Sequence, residues 1–186
     1  MKITDSNLGQ LISGLIYPAS LGASIVYFFQ KIVVQVTSST VSSVLLDVKN
    51  WFALWLLFYF CLVYLSMTKY KLKKAYDWIH FILDFIEALL IFWGLFVLGF
   101  VVTDYVNMQY FYVVSLLIPI LGWVTNCYTK GTIHWLQIVS IAILSIAMIG
   151  ANFPKEENVH WVILFLFFIL LGWYTCQFTK HREKID

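Results

Sequence analysis

The chain has 186 residues, of which 61% are apolar, 19% aromatic and only 12% charged, with a formal net charge of +2. A soluble domain carries about 25% charged residues, so the composition excludes an ordinary soluble enzyme, and the small charge excludes nucleic acid as a direct partner. Cys61, Cys127 and Cys176 have neither a paired framework nor metal-type spacing and read as small, reduced packing residues.

A bilayer crossing needs about 20 helical residues, because the hydrocarbon layer is about 30 Å thick and a helix rises about 1.5 Å per residue. Apolar stretches of that size fall at 9–29, 51–68, 78–102, 109–129, 132–152 and 159–179. They predict an all-α polytopic integral membrane protein, one transmembrane domain over 1–186, with six helices in three hairpins. Strands would need polar alternation over about ten residues, and no such pattern occurs. The N-terminal Met-Lys-Ile-Thr-Asp is a poor start for a cleaved signal peptide, so the first segment is expected to be retained.

In the first segment Gly14, Pro18 and Gly22 recur at helical spacing, with Ala19, Ser20, Ala23 and Ser24 beside them. Such a face lets another backbone approach closely, in the same subunit or a neighbouring one. The stretch 30–50 is rich in Val, Ser and Thr and too polar for a crossing. It either extends the first helix or lies on the surface with Val36, Val41, Val44 and Val48 toward lipid. After the second segment comes the densest charge in the chain, Lys69-Tyr70-Lys71-Leu72-Lys73-Lys74.

The third segment carries Asp77, His80, Asp84 and Glu87, whose spacing of three, four and three puts them on one helical stripe. Asp84 and Glu87 fall about two and three turns beyond Asp77, within the hydrocarbon zone. An ionised carboxylate there costs about 2.5–3.5 kcal/mol, and two on one face repel, so both are not expected to be charged together. The stripe therefore faces protein or water. One reading is a cation or proton site, with His80 leading to Asp84 and Glu87; the other is a polar helix contact satisfied by Asn126, Gln137 or Ser140. In the fourth segment Pro119 frees a backbone carbonyl and favours a kink.

Leu121-Gly-Trp-Val-Thr-Asn-Cys-Tyr-Thr-Lys130 matches Leu171-Gly-Trp-Tyr-Thr-Cys-Gln-Phe-Thr-Lys180, and Ile79-His80-Phe81 matches Ile133-His134-Trp135. A hairpin unit used at 78–130 and again at 132–180 explains both, giving parallel repeats rather than inverted ones. His80 and His134 are thus equivalent; they are expected to bond headgroups or backbone rather than a cofactor. With both termini cytoplasmic, Lys2, Lys69, Lys71, Lys73, Lys74, Lys130, Lys180, Arg182 and Lys184 lie inside and Lys31, Lys49 and Lys155 outside, nine against three. A seventh crossing would move the C-terminus and destroy that asymmetry. Trp51, Trp78, Trp135 and Trp161 fall near segment ends, where indoles favour the headgroup layer.

No H-E-x-x-H, Gly-rich phosphate loop or G-x-S-x-G occurs, so no enzyme activity, metal or cofactor is expected. The expected function is that of a homo-oligomeric membrane sensor or anchor in a bacterial cytoplasmic membrane. Its inner face, Lys69, Lys71, Lys73, Lys74, Lys180, Arg182 and Lys184, would dock a cytosolic protein or anionic lipid. The alternative is a cation or proton channel through Asp84 and Glu87. In size, topology and lack of a catalytic signature the outline is similar to small membrane components of bacterial defence systems, such as the Kiwa type; that resemblance carries no residues.

Overall fold

The computed structural model describes residues 5–69, 77–102, 107–130 and 157–182, with isolated helical positions at 139, 142–143 and 145–146. Most of the expected crossing at 132–152, including His134, Gln137 and Ser140, lies outside the described residues, as do Lys71, Lys73, Lys74 and Lys184. The described residues are almost entirely helical, with no strand among them. Helix α1 (Asp5–Leu11) passes through a π-helical turn at Ile12–Ile16 into α2 (Tyr17–Ser38). Then come α3 (Val41–Leu46), α4 (Val48–Lys69) and α5 (Trp78–Phe96), the last ending in a second π-helical turn at Val97–Val101. Helices α6 (Met108–Lys130) and α7 (Glu157–Arg182) complete the set. Three runs are long and apolar enough to cross a membrane: Leu8–Ser38, Val48–Leu65 and Trp78–Gly99.

The first π-helical turn has a local cause. Pro18 sits in the first turn of α2; it has no N–H, and its ring crowds the carbonyl four residues back. The N–H of Tyr17 bonds instead to the carbonyl of Ile12, five residues behind. The wider turn inserts one residue into the helical register, so the buried positions run Leu8, Ile12 and Tyr17. Of the two readings for 30–50, the helix extension holds as far as Ser38. There the Ser38 and Ser39 hydroxyls bond to the carbonyls of Val34 and Gln35 at 2.8 and 2.6 Å, and Ser39 turns extended. The six-residue α3 is too short to cross.

Side-chain contacts give the helix directions. Tyr17 meets Asp84 and Tyr27 meets Gly99, so α2 and α5 run the same way. Leu56 meets Gly94 and Tyr59 meets Glu87, so α4 runs against α5. Helix α6 does the same, with Val114 near Gly94 and Tyr128 near Asp77. At the other end Tyr112 pairs with His160 and Trp55 donates to the carbonyl of Phe167. The N-terminal halves of α4, α6 and α7 thus lie together, and these three helices are parallel.

Their junction is aromatic. Phe52 is fully buried with Phe111, Tyr112 and Phe167 around it at centroid distances of 5.3, 5.8 and 5.5 Å. The inclined ring geometries are those the ring quadrupoles favour. Close packing matters more here than apolarity, since lipid tails offer side chains an equally apolar medium. Gly94 shows how close: a Cβ there would lie 2.8 Å from a Leu56 methyl and 3.6 Å from one of Val114.

Candidate functional site

The polar residues of α5 form two connected groups. At the helix start Asp77 is the N-cap, its Oδ1 accepting the backbone N–H of His80 at 2.9 Å. The same oxygen lies 3.1 Å from His80 Nδ1, and the Tyr128 hydroxyl of α6 donates to Oδ2 at 2.5 Å. The Tyr128 ring stands edge-on to the imidazole at 5.1 Å. These donors, the His80 backbone N–H foremost and then the Tyr128 hydroxyl, hold the Asp77 carboxyl down to about 2. The acid thereby fastens the start of α5 to the end of α6.

A depressed carboxyl stabilises the fold above its unfolded value, 3.8, and that contribution drains away as pH falls through about 2. Asp77→Ala is expected to cost about 1 kcal/mol as a lost cap. Asp77→Asn keeps the cap but removes the acid, so its thermal unfolding should lose the part of the pH dependence between 4 and 2 that Asp77 supplies, compared with wild type on the same ramp.

Deeper along α5, Asp84 and Glu87 are 4% and 6% exposed, and His80 is 1% exposed. Their partners are tyrosines from two other helices. Tyr59 of α4 donates to Glu87 Oε1 at 3.4 Å. Tyr17 of α2 donates to the backbone carbonyl of Asp84 at 3.3 Å and also reaches the Glu87 carboxyl. The stripe read from the spacing thus faces protein. The partners seen among the described residues are these tyrosines; the expected Gln137 and Ser140, and the Asn126 side chain, lie outside the described residues. The signal available for Tyr17 and Tyr59 was a phenol inside an apolar segment, a donor that needs an acceptor.

Other expected positions separate from this cluster. Nothing lies within 4 Å of a Cβ built at Gly14 or Gly22, so among the described residues these glycines, flanking half-buried Pro18, admit no neighbouring backbone from the same chain. The backbone positions of Lys69, Lys180 and Arg182 close α4 and α7. A groove of about 290 Å³ lined by Trp51, Trp161, Leu164, Phe165 and Phe168 shares no residue with the acidic cluster. No group of three or more metal-ligating side chains occurs among the described residues.

By length and composition of its helices, the chain belongs with all-helical membrane-spanning proteins, with a polar cluster enclosed among three of the helices. No family model, curated protein or solved structure matches it.

Proposed function

We propose that this chain is the integral membrane subunit of a homo-oligomer in a bacterial cytoplasmic membrane, crossing six times with both termini inside. Its basic inner end engages an acidic cytosolic protein. The observation that carries the reading is the shared direction of α4, α6 and α7: their C-terminal ends bring the backbone positions of Lys69, Lys130, Lys180 and Arg182 to one end, beside the start of α5. Lys71, Lys73 and Lys74 follow Lys69 directly in sequence. Because α6 and α7 are parallel, the 26 residues between Lys130 and Glu157 have to return the chain to the opposite end. As helix they reach about 39 Å, enough for a crossing. Only 17% of the first span is buried against described residues, compared with 50% and 44% for the next two, which leaves a face for lipid or a second subunit.

The test is recruitment of an acidic soluble protein that co-purifies with the subunit, its binding measured in zwitterionic nanodiscs before and after reversing Lys71, Lys73 and Lys74. A cation or proton pathway is the second reading, favoured by the adjacency of Asp84 and Glu87 with two phenols against them. Asp84→Asn with Glu87→Gln separates the two. In an anchor the double variant folds, recruits its partner as wild type does and shows the same liposome flux; abolished proton or cation flux would establish conduction instead.

A further inference from the structure

The enclosed face of α5 changes character partway along its length. Between Asp77 and Glu87, about 15 Å of helix, it carries His80, Asp84 and Glu87. Between Glu87 and Val102, about 22 Å of helix, its buried positions include Ala88, Ile91, Leu95, Leu98 and Val102, all apolar. Both halves belong to one stripe, because Ile91, Leu95 and Leu98 continue the spacing of three and four that joins the acids.

The polar half reaches water at the start of the helix. The Asp77 side chain is 34% exposed, and its Oδ1 lies 3.1 Å from Nδ1 of His80, which is enclosed one turn before Asp84. Tyr17 of α2 and Tyr59 of α4 donate to the Asp84 carbonyl and the Glu87 carboxyl, and Tyr64 of α4 stacks on Tyr17 at 6.5 Å. Tyr128 of α6 holds the other oxygen of Asp77.

The apolar half is tightly closed. A Cβ at Gly94 would meet Leu56 at 2.8 Å, Val114 at 3.6 Å and Phe111 at 3.9 Å, side chains of two facing helices. A water or hydrated ion needs room and polar partners, and this contact offers neither. The buried polar residues near this level, Ser24 and Ser115, bear hydroxyls that do not titrate, and that of Ser24 donates to the Ser20 carbonyl at 2.7 Å. Tyr27 lies farther out, against Gly99. An ionised carboxylate in hydrocarbon costs about 2.5–3.5 kcal/mol, so acids enclosed at this depth exchange protons with whichever side reaches them.

We infer that Asp84 and Glu87 form a proton-binding site that exchanges with the basic end of the bundle through Asp77 and His80, while Ile91, Leu95 and Leu98 close it to the opposite end. That the basic end faces the cytoplasm rests on the topology proposed above, and on that topology the site reads cytoplasmic pH. It binds a proton without conducting one. Through Tyr17 and Tyr59 its charge is linked to the packing of α2 and α4 on α5.

The experiment places the full chain in buffered liposomes, selects one orientation through a tag on the C-terminus, and steps the pH on one side at a time. Infrared difference spectra read the carbonyl stretch of protonated carboxyls. A step on the tagged side is expected to give a band that is lost in Asp84→Asn with Glu87→Gln. A step on the other side is expected to change nothing that this double variant removes. Ile91→Ser with Leu95→Ser, checked for folding by thermal unfolding, is expected to gain the band from the untagged side; wild-type sidedness decides the inference even where that variant does not fold. The inference is overturned if the wild-type band answers both sides, as a conducting path would, or only the untagged side, or if no band depends on the two acids. Tag accessibility in intact cells tests the topology separately: a tag reached from outside overturns the cytoplasmic assignment and leaves the sidedness result in place.

Discussion

Reversing Lys71, Lys73 and Lys74 to Glu is expected to weaken recruitment of the cytosolic partner by at least about 100-fold. Each lysine near an anionic surface contributes about 1 kcal/mol, so removing three costs about 3 kcal/mol, or about 100-fold in Kd. Reversal adds repulsion. The effect should appear mainly in the dissociation rate if the lysines touch the partner, and in association rate and salt dependence if they only steer it. Zwitterionic nanodiscs remove the competing contribution from anionic lipid, and raised salt should erase much of the difference between variant and wild type. Unchanged affinity in those nanodiscs would assign the patch to lipid alone.

Phe52→Ala is expected to be the most destabilising single truncation in the bundle. Phe52 is fully buried where α4, α6 and α7 meet, with three rings packed on it. Phe→Ala in soluble cores costs about 3–5 kcal/mol. Within a bilayer the transfer out of water contributes little and the lost packing remains, which places the expectation at about 3 kcal/mol. Phe52→Leu should recover most of it. Phe58→Ala, on the same helix but 50% exposed, should stay within about 0.5 kcal/mol of wild type. Denaturant unfolding in mixed micelles measures all three, and equal losses for Phe52→Ala and Phe58→Ala would show that the ring cluster contributes nothing special.

Particular residues show how far the linear chain could be read. The stripe of His80, Asp84 and Glu87 followed from spacing alone, because positions three and four apart share a helix face whatever surrounds them. That this face is enclosed by Tyr17 and Tyr59 did not follow, since those phenols come from helices 67 and 28 residues away in sequence. Gly14 and Gly22 were read as a close-packing face for the same subunit or a neighbouring one; within the described residues of this chain the close approaches are at Gly94 and Gly99. A glycine's role depends on which helix lies opposite, and residue type carries no record of that. Tyr17 faces the core because the π-helical turn before Pro18 shifts the register; the 3.6-residue periodicity used to read the segment assumes no such turn.

Composition and apolar run length by themselves determined that this is a helical chain built for the bilayer, because backbone polar groups in hydrocarbon have to be satisfied within each helix. The distribution of lysines likewise marked one end as basic. Only the tertiary structure decided which groups meet: the tyrosines against the buried acids, Tyr128 on the cap of α5, and the Asn50 amide on Gln35. The physical reason is range. Helix formation and insertion depend on neighbours within a few turns, whereas hydrogen-bond partners between helices depend on crossing geometry and register that no local stretch of sequence encodes.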